Sequence, residues 1–248
     1  MQIEILRRRS AGEAPYVQRF WYEPEQAAET VATALTKLGE RSDLRDAEGA
    51  SAAPIRWECS CLQKKCGACA MVINGRPGLA CNARLSEYKN HLRLEPLRKF
   101  PVVADLIVDR SALYEALATL RLWFEGEAAI NQTAAELGYE ASRCLQCGCC
   151  LEVCPNYMPG GKFAGMAGAV PMARLLAEAP ASQMGELSRL YRNRVFEGCG
   201  KSMACRNICP AGIPIDDLLV NSNAIAVWKR LLKKRRRPMF EKKEKTYE

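Results

Sequence analysis

The residues with the clearest chemistry in this chain are its cysteines. There are 13 of them, in two groups, residues 59–81 and 144–209. The first group contains Cys61-x4-Cys66-x2-Cys69-x11-Cys81. Its leading spacing is the one that holds plant-type 2Fe–2S centres. A two-iron rhomb needs four thiolates at short range. Gly67 and Ala68 in the loop let the backbone fold closely around it. Small residues there also leave amides free to bond the sulfurs, which tunes the reduction potential. Four cysteines would suit tetrahedral zinc as well, but zinc ribbons favour two C-x2-C pairs and this loop has one.

The second group opens with Cys144-x2-Cys147-x2-Cys150-x3-Cys154-Pro155. In a run of this form the fourth cysteine ligates a different cluster from the first three. A reciprocal run is therefore required, and Cys199-x5-Cys205-x3-Cys209-Pro210 supplies it. Aligning the two runs puts Ser202 where the first has Cys147. Cys144, Cys147, Cys150 and Cys209 are then expected to hold a 4Fe–4S cluster. Cys154, Cys199 and Cys205 offer one thiolate fewer, which points to a 3Fe–4S cluster. Ser202 could instead offer an oxygen, a poorer match than thiolate for iron–sulfur units. Cys59 and Cys149 remain outside these sets. Cys149 reads as a small buried residue beside a cluster, and Cys59 as a spectator more than a reserve ligand.

The elements that must position these loops fall into two patterns. The first part is mixed α and β. Gln2–Leu6, Tyr16–Tyr22, Ala70–Ile73 and His91–Glu95 read as strands, and Asn74-Gly75 as a tight turn. Glu25–Leu38 reads as a helix with Ala28, Val31, Leu35 and Leu38 on one face. From about Asp105 the pattern becomes helical. Ser111–Phe124, a short helix capped by Thr133 and Glu136, Pro171–Ala179, Ser182–Phe196 and Ile215–Leu232 are the expected helices. The expected organisation is a cluster-binding domain over 1–104, a helical one over 105–236, and a charged tail over 237–248.

Composition excludes several functions. No stretch approaches the roughly 18 apolar residues of a membrane span, and the start of the chain does not read as a secretory signal. A reducing compartment is therefore expected, where cysteines serve metals or catalysis more often than disulfides. The formal charge of +8 counts every cysteine as neutral. Three clusters with their thiolates would remove most of it, so the basic balance does not imply nucleic acid, and no nucleic-acid motif accompanies it. Lys229–Arg237 could meet anionic lipid or an anchor subunit, or be a basic tail. Arg7–Arg9 reads as a solvated strand end, His91 as a surface residue, and Gly160-Gly161-Lys162 lacks P-loop spacing.

The motifs resemble those of the iron–sulfur subunits of succinate dehydrogenase and fumarate reductase, over nearly the whole chain. Ser60–Cys81, Leu94–Leu97, Phe100–Val103, Asp105–Asp109 and Cys144–Pro155 carry the resemblance. It implies an α+β fold, with a β-grasp 2Fe–2S ferredoxin domain followed by an all-α dicluster domain. It also implies a flavoprotein partner bearing FAD, a membrane anchor that can be a cytochrome b, and quinone beside the 3Fe–4S cluster. The chain would sit peripherally on the cytoplasmic face of a bacterial inner membrane. It would carry electrons for succinate oxidation or fumarate reduction without substrate chemistry of its own. Asn156–Pro159 replaces tryptophans common in ubiquinone-linked members, and Gly200 replaces a common His, which favours menaquinone. The alternative is the iron–sulfur subunit of a thiol-linked fumarate reductase or heterodisulfide-reductase-like complex. A zinc module with a basic tail would be the reading from a different functional class.

Overall fold

The computed structural model describes residues 1–128 and 132–229. The first lobe is a five-stranded mixed sheet in the order β2-β1-β5-β3-β4. Its strands are β1 (Gln2–Arg7), β2 (Tyr16–Trp21), β3 (Ala70–Ile73), β4 (Arg76–Leu79) and β5 (His91–Glu95). β1 runs antiparallel to β2 and parallel to β5. Asn74 and Gly75 join β3 to β4 at φ of 46° and 79°, the left-handed pair that a two-residue hairpin requires. β4 itself, with Pro77 and Gly78, gave no strand signal in the sequence.

Helix α1 (Val31–Gly39) starts later than its apolar spacing suggested. Thr30 caps it. Its hydroxyl accepts from the Thr33 amide at 3.2 Å, and Thr33 Oγ1 accepts from the Thr30 amide at 3.3 Å. This reciprocal box satisfies two donors that the first turn would leave free. Val31, Ala32, Ala34, Leu35 and Leu38 are buried in the first-lobe core, while Ala28 lies outside the helix and is exposed.

Strand alternation carries one surprise. The period of two that buries Ile3 and Ile5 also buries Arg7. Arg7 is therefore not a solvated strand end. Its side chain is 2% exposed and meets Asp105 Oδ2 at 2.9 Å. Asp105 lies between β6 (Val102–Ala104) and β7 (Ile107–Val108). Its carboxylate also accepts from the amides of Arg8 at 3.0 Å and Arg56 at 2.9 Å. Leu106, Val108 and Leu113 join the same core as the sheet.

The second lobe is helical. α2 (Ser111–Ala118) stops short of Phe124, and Arg121 turns into the left-handed region at φ 49°. α3 (Gln132–Ser142) places position 133 inside the helix, not before it, and continues through Gly138. A β-carbon at Gly138 would require the Glu178 carboxylate to shift. The short α4 (Cys149–Glu152) precedes α5 (Gly165–Glu178). α5 begins before Pro171 because the run Met166–Val170 is fully buried and helical. Pro171 thus sits within the helix, where it can give no N–H to the carbonyl of Ala167. The Gln146 side chain supplies that bond instead, Nε2 to Ala167 O, at 3.3 Å. α6 (Met184–Tyr191) and α7 (Ile215–Asn223) each run on into a π-helical turn, Arg192–Phe196 and Ala224–Trp228. No helix among the described residues is long and apolar enough to cross a membrane. Residues 230–237 of the basic run and the charged tail 237–248 lie outside the described residues.

Candidate metal centres

The first cysteine set lies between α1 and β3 and just after β4. Leu62 and Lys64 adopt φ of 52° and 59°, which turns successive amides of this loop toward the sulfurs. Gln63 N and Lys65 N each donate to Cys61 Sγ at 3.3 Å, and Lys64 N donates to Cys81 Sγ at 3.3 Å. The amides of Gln63 and Lys65 bring the Cys61 thiol down to about 7. Burial pushes the Cys69 thiol up to about 12, with Cys81 and Cys66 close by. The four cysteines of the expected set are thus one neighbourhood, with amides already facing two of the sulfurs.

The second set comes from two distant stretches of chain. Cys144, Cys147, Cys150 and Cys209 line one cavity, together with Gln146 and Ala167. Burial raises the Cys144 thiol to about 11 and holds Cys150 well above the usual thiol range. Cys147 is the exception, lowered to about 7, chiefly by the hydrogen bond from the Cys149 thiol and also by the Cys149 amide. The third set is Cys205 with Cys154 and Cys199 beside it, and burial lifts Cys205 to about 11. Buried thiols held protonated must release those protons when metal binds. Among the described residues no three Cys, His, Asp or Glu side chains converge as a single metal ion would require. Ser202, the residue aligned with Cys147, is exposed between Lys201 and Met203, which hold φ of 55° and 56°. Cys59 is exposed and Cys149 fully buried.

Several residues escaped the sequence reading. Cys149 is not one of them, for it is the small buried residue its position suggested. Arg110 joins the lobes, donating to the Ala68 carbonyl at 3.0 Å and pairing with Glu58 at 2.9 Å, and its charge also lowers the Cys147 thiol. Gly67 sits against the other loop. A β-carbon there would lie 2.8 Å from both Leu145 O and Cys147 Cβ, at a φ of 79°. The two cysteine loops therefore meet backbone to backbone. Gly67→Ala is expected to cost about 1–3 kcal/mol from strain and overpacking. Urea unfolding of the purified chain checks this, and an unchanged midpoint would show that the loops do not press together as described.

Comparison with known proteins follows the same division. Residues 2–115 match the family described as a 2Fe-2S iron-sulfur cluster binding domain, and residues 140–213 match that of a 4Fe-4S dicluster domain. The chain is 34% identical over 224 residues to the succinate dehydrogenase iron-sulfur subunit of Bacillus subtilis, covering 85% of this chain and 86% of that one. It is 38% identical over 177 residues to the fumarate reductase iron-sulfur subunit of Mycobacterium tuberculosis, covering 64% and 68%. A chain of the Mycobacterium smegmatis Sdh1 complex in the apo form has a similar fold, with a TM-score of 0.71 at 22% identity, covering 96% and 98%.

Proposed function

Because the chain belongs to the iron–sulfur subunit family of succinate dehydrogenase and fumarate reductase, we propose that it relays electrons between FAD of a flavoprotein subunit and a quinone, menaquinone in preference to ubiquinone. The residue set fits the groups this needs. Cys61, Cys66, Cys69 and Cys81 would hold a 2Fe–2S cluster. Cys144, Cys147, Cys150 and Cys209 would hold a 4Fe–4S cluster, and Cys154, Cys199 and Cys205 a 3Fe–4S cluster. Such clusters supply one-electron transfer when bound. The observation that carries the proposal is the placing of the cysteines: three neighbourhoods, with the first two loops in contact at Gly67.

The chain's own residues then do two things. They hold the centres close together, through Gly67 and Arg110 at the junction of the lobes. They also set how readily each site carries charge, through the amides on Cys61 and Cys81 and the Cys149 thiol on Cys147. Dicarboxylate chemistry falls to the flavoprotein, and a membrane anchor would hold this peripheral chain on the cytoplasmic face. Purification of the native complex without oxygen tests the proposal. It should be brown, contain a flavin-bearing subunit, and couple succinate or fumarate to defined quinones. A complex without flavin, or a colourless chain with stoichiometric zinc, would refute it.

A further inference from the structure

Lys99 lies on the link that follows β5, yet its side chain reaches the second lobe. Nζ donates to the backbone carbonyl of Cys154 and, at 3.0 Å, to that of Tyr157. It also stands 5.9 Å from the centroid of the Tyr157 ring. The nearby Glu152 carboxylate is engaged elsewhere, accepting from the Lys99 backbone amide at 3.1 Å. Among the described residues no carboxylate forms an ion pair with the Lys99 ammonium. A half-buried ammonium without a direct ion pair is thus fixed against the main chain of one cysteine of the three-cysteine set.

The geometry points to Lys99 as the residue that raises the reduction potential of the centre held by Cys154, Cys199 and Cys205. The inference rests on the proposed three-iron reading of that set. One-electron reduction adds a negative charge to the centre. A fixed positive charge beside one ligand favours the reduced state over the oxidised one, and partial burial weakens the screening that water and salt would impose. Lys99 touches the ligand's backbone and not the iron, so it acts as a tuning and positioning residue. The same side chain ties the first lobe to the turn Cys154–Tyr157. The link between the lobes thereby helps to make this centre a good final acceptor in the relay.

The test is a redox titration of the native complex, prepared without oxygen and followed by the EPR signal of the oxidised three-iron centre. Lys99→Gln keeps a hydrogen-bond donor and removes the charge. It is expected to lower the reduction equilibrium on the order of tenfold, which for one electron is about 59 mV. Lys99→Met should shift it in the same direction, and Lys99→Arg should stay near the wild type. Signal intensity should persist in Lys99→Gln. A wild-type potential in Lys99→Gln overturns the inference. So does loss of signal with no shift in what remains, since that describes a purely structural clamp. Absence of the signal from the wild-type complex would overturn the three-iron reading, and this inference with it, before any substitution is made.

Discussion

Asp105→Ala is expected to destabilise the chain by about 3–5 kcal/mol, the usual result of stripping one partner from a buried ion pair. Arg7 would keep its place in the alternation of β1, with a guanidinium 2% exposed and no carboxylate to meet it. The amides of Arg8 and Arg56 would lose their acceptor as well. Asp105 further holds φ at 44°, a conformation that Asp and Asn tolerate better than Ala. Asp105→Asn keeps the shape and an acceptor oxygen, so its cost should be smaller. Guanidinium unfolding of the three proteins gives the comparison. Equal stability of Asp105→Ala and wild type would mean that the other acceptors of Arg7, Gln18 Oε1 and the carbonyls of Ala53 and Pro54, suffice. On the same grounds we propose that the first folding unit extends through Arg110. A fragment cut at residue 104 would lack both Asp105 and the arginine that holds the Ala68 carbonyl.

On the proposed three-iron reading, Ser202→Cys should add about one iron per chain and abolish the oxidised three-iron EPR signal. A hydroxyl is harder and more basic than a thiolate and stays protonated near neutral pH, so it holds a fourth iron poorly. Ser202 is exposed, so a thiol at this position must swing inward to serve. The flanking residues favour that movement. Lys201 and Met203 both occupy the left-handed region, where a residue other than glycine stores about 1–3 kcal/mol. A turn of the loop that relaxes either offsets part of the cost. Electron delivery to quinone should slow, because the completed cluster is expected at a lower potential. Iron analysis and EPR of the variant complex decide the matter. An unchanged iron content with the three-iron signal intact would show that the loop cannot bring position 202 to the cluster.

Much of this architecture was legible in the sequence because ligand spacing is a local property. Cys61 to Cys81 and Cys144 to Cys154 announce their loops directly, and β1 and β2 carry β-branched or aromatic residues. What escaped was set by contacts across long separations. Arg7 looked like a charged strand end because its partner is Asp105, far along the chain. Pro171 looked like a helix start because the sequence does not reveal that Gln146 can take over the vacated bond to Ala167. Gly67 read as a residue that lets its own loop fold closely around a cluster, whereas the fold also uses its missing side chain to bring two loops together. The end of α2 was missed for a related reason. Leu120 is buried in the second-lobe core, and the chain bends at Arg121 where continued periodicity suggested more helix.

The cavity shared by Cys144, Cys147, Cys150 and Cys209 has a consequence for the order in which the protein matures. Translation delivers Cys61 to Cys81 early and close together, so the first centre can be filled as soon as its lobe folds. On the proposed ligand sets, neither centre of the second lobe has that freedom. A nascent chain that has emerged only as far as Cys154 holds three thiols of one set and one of the other, and completes neither. Both sets wait for the segment Cys199–Cys209. On the proposed ligand sets, neither centre of the second lobe can be completed before the segment Cys199–Cys209 has left the ribosome.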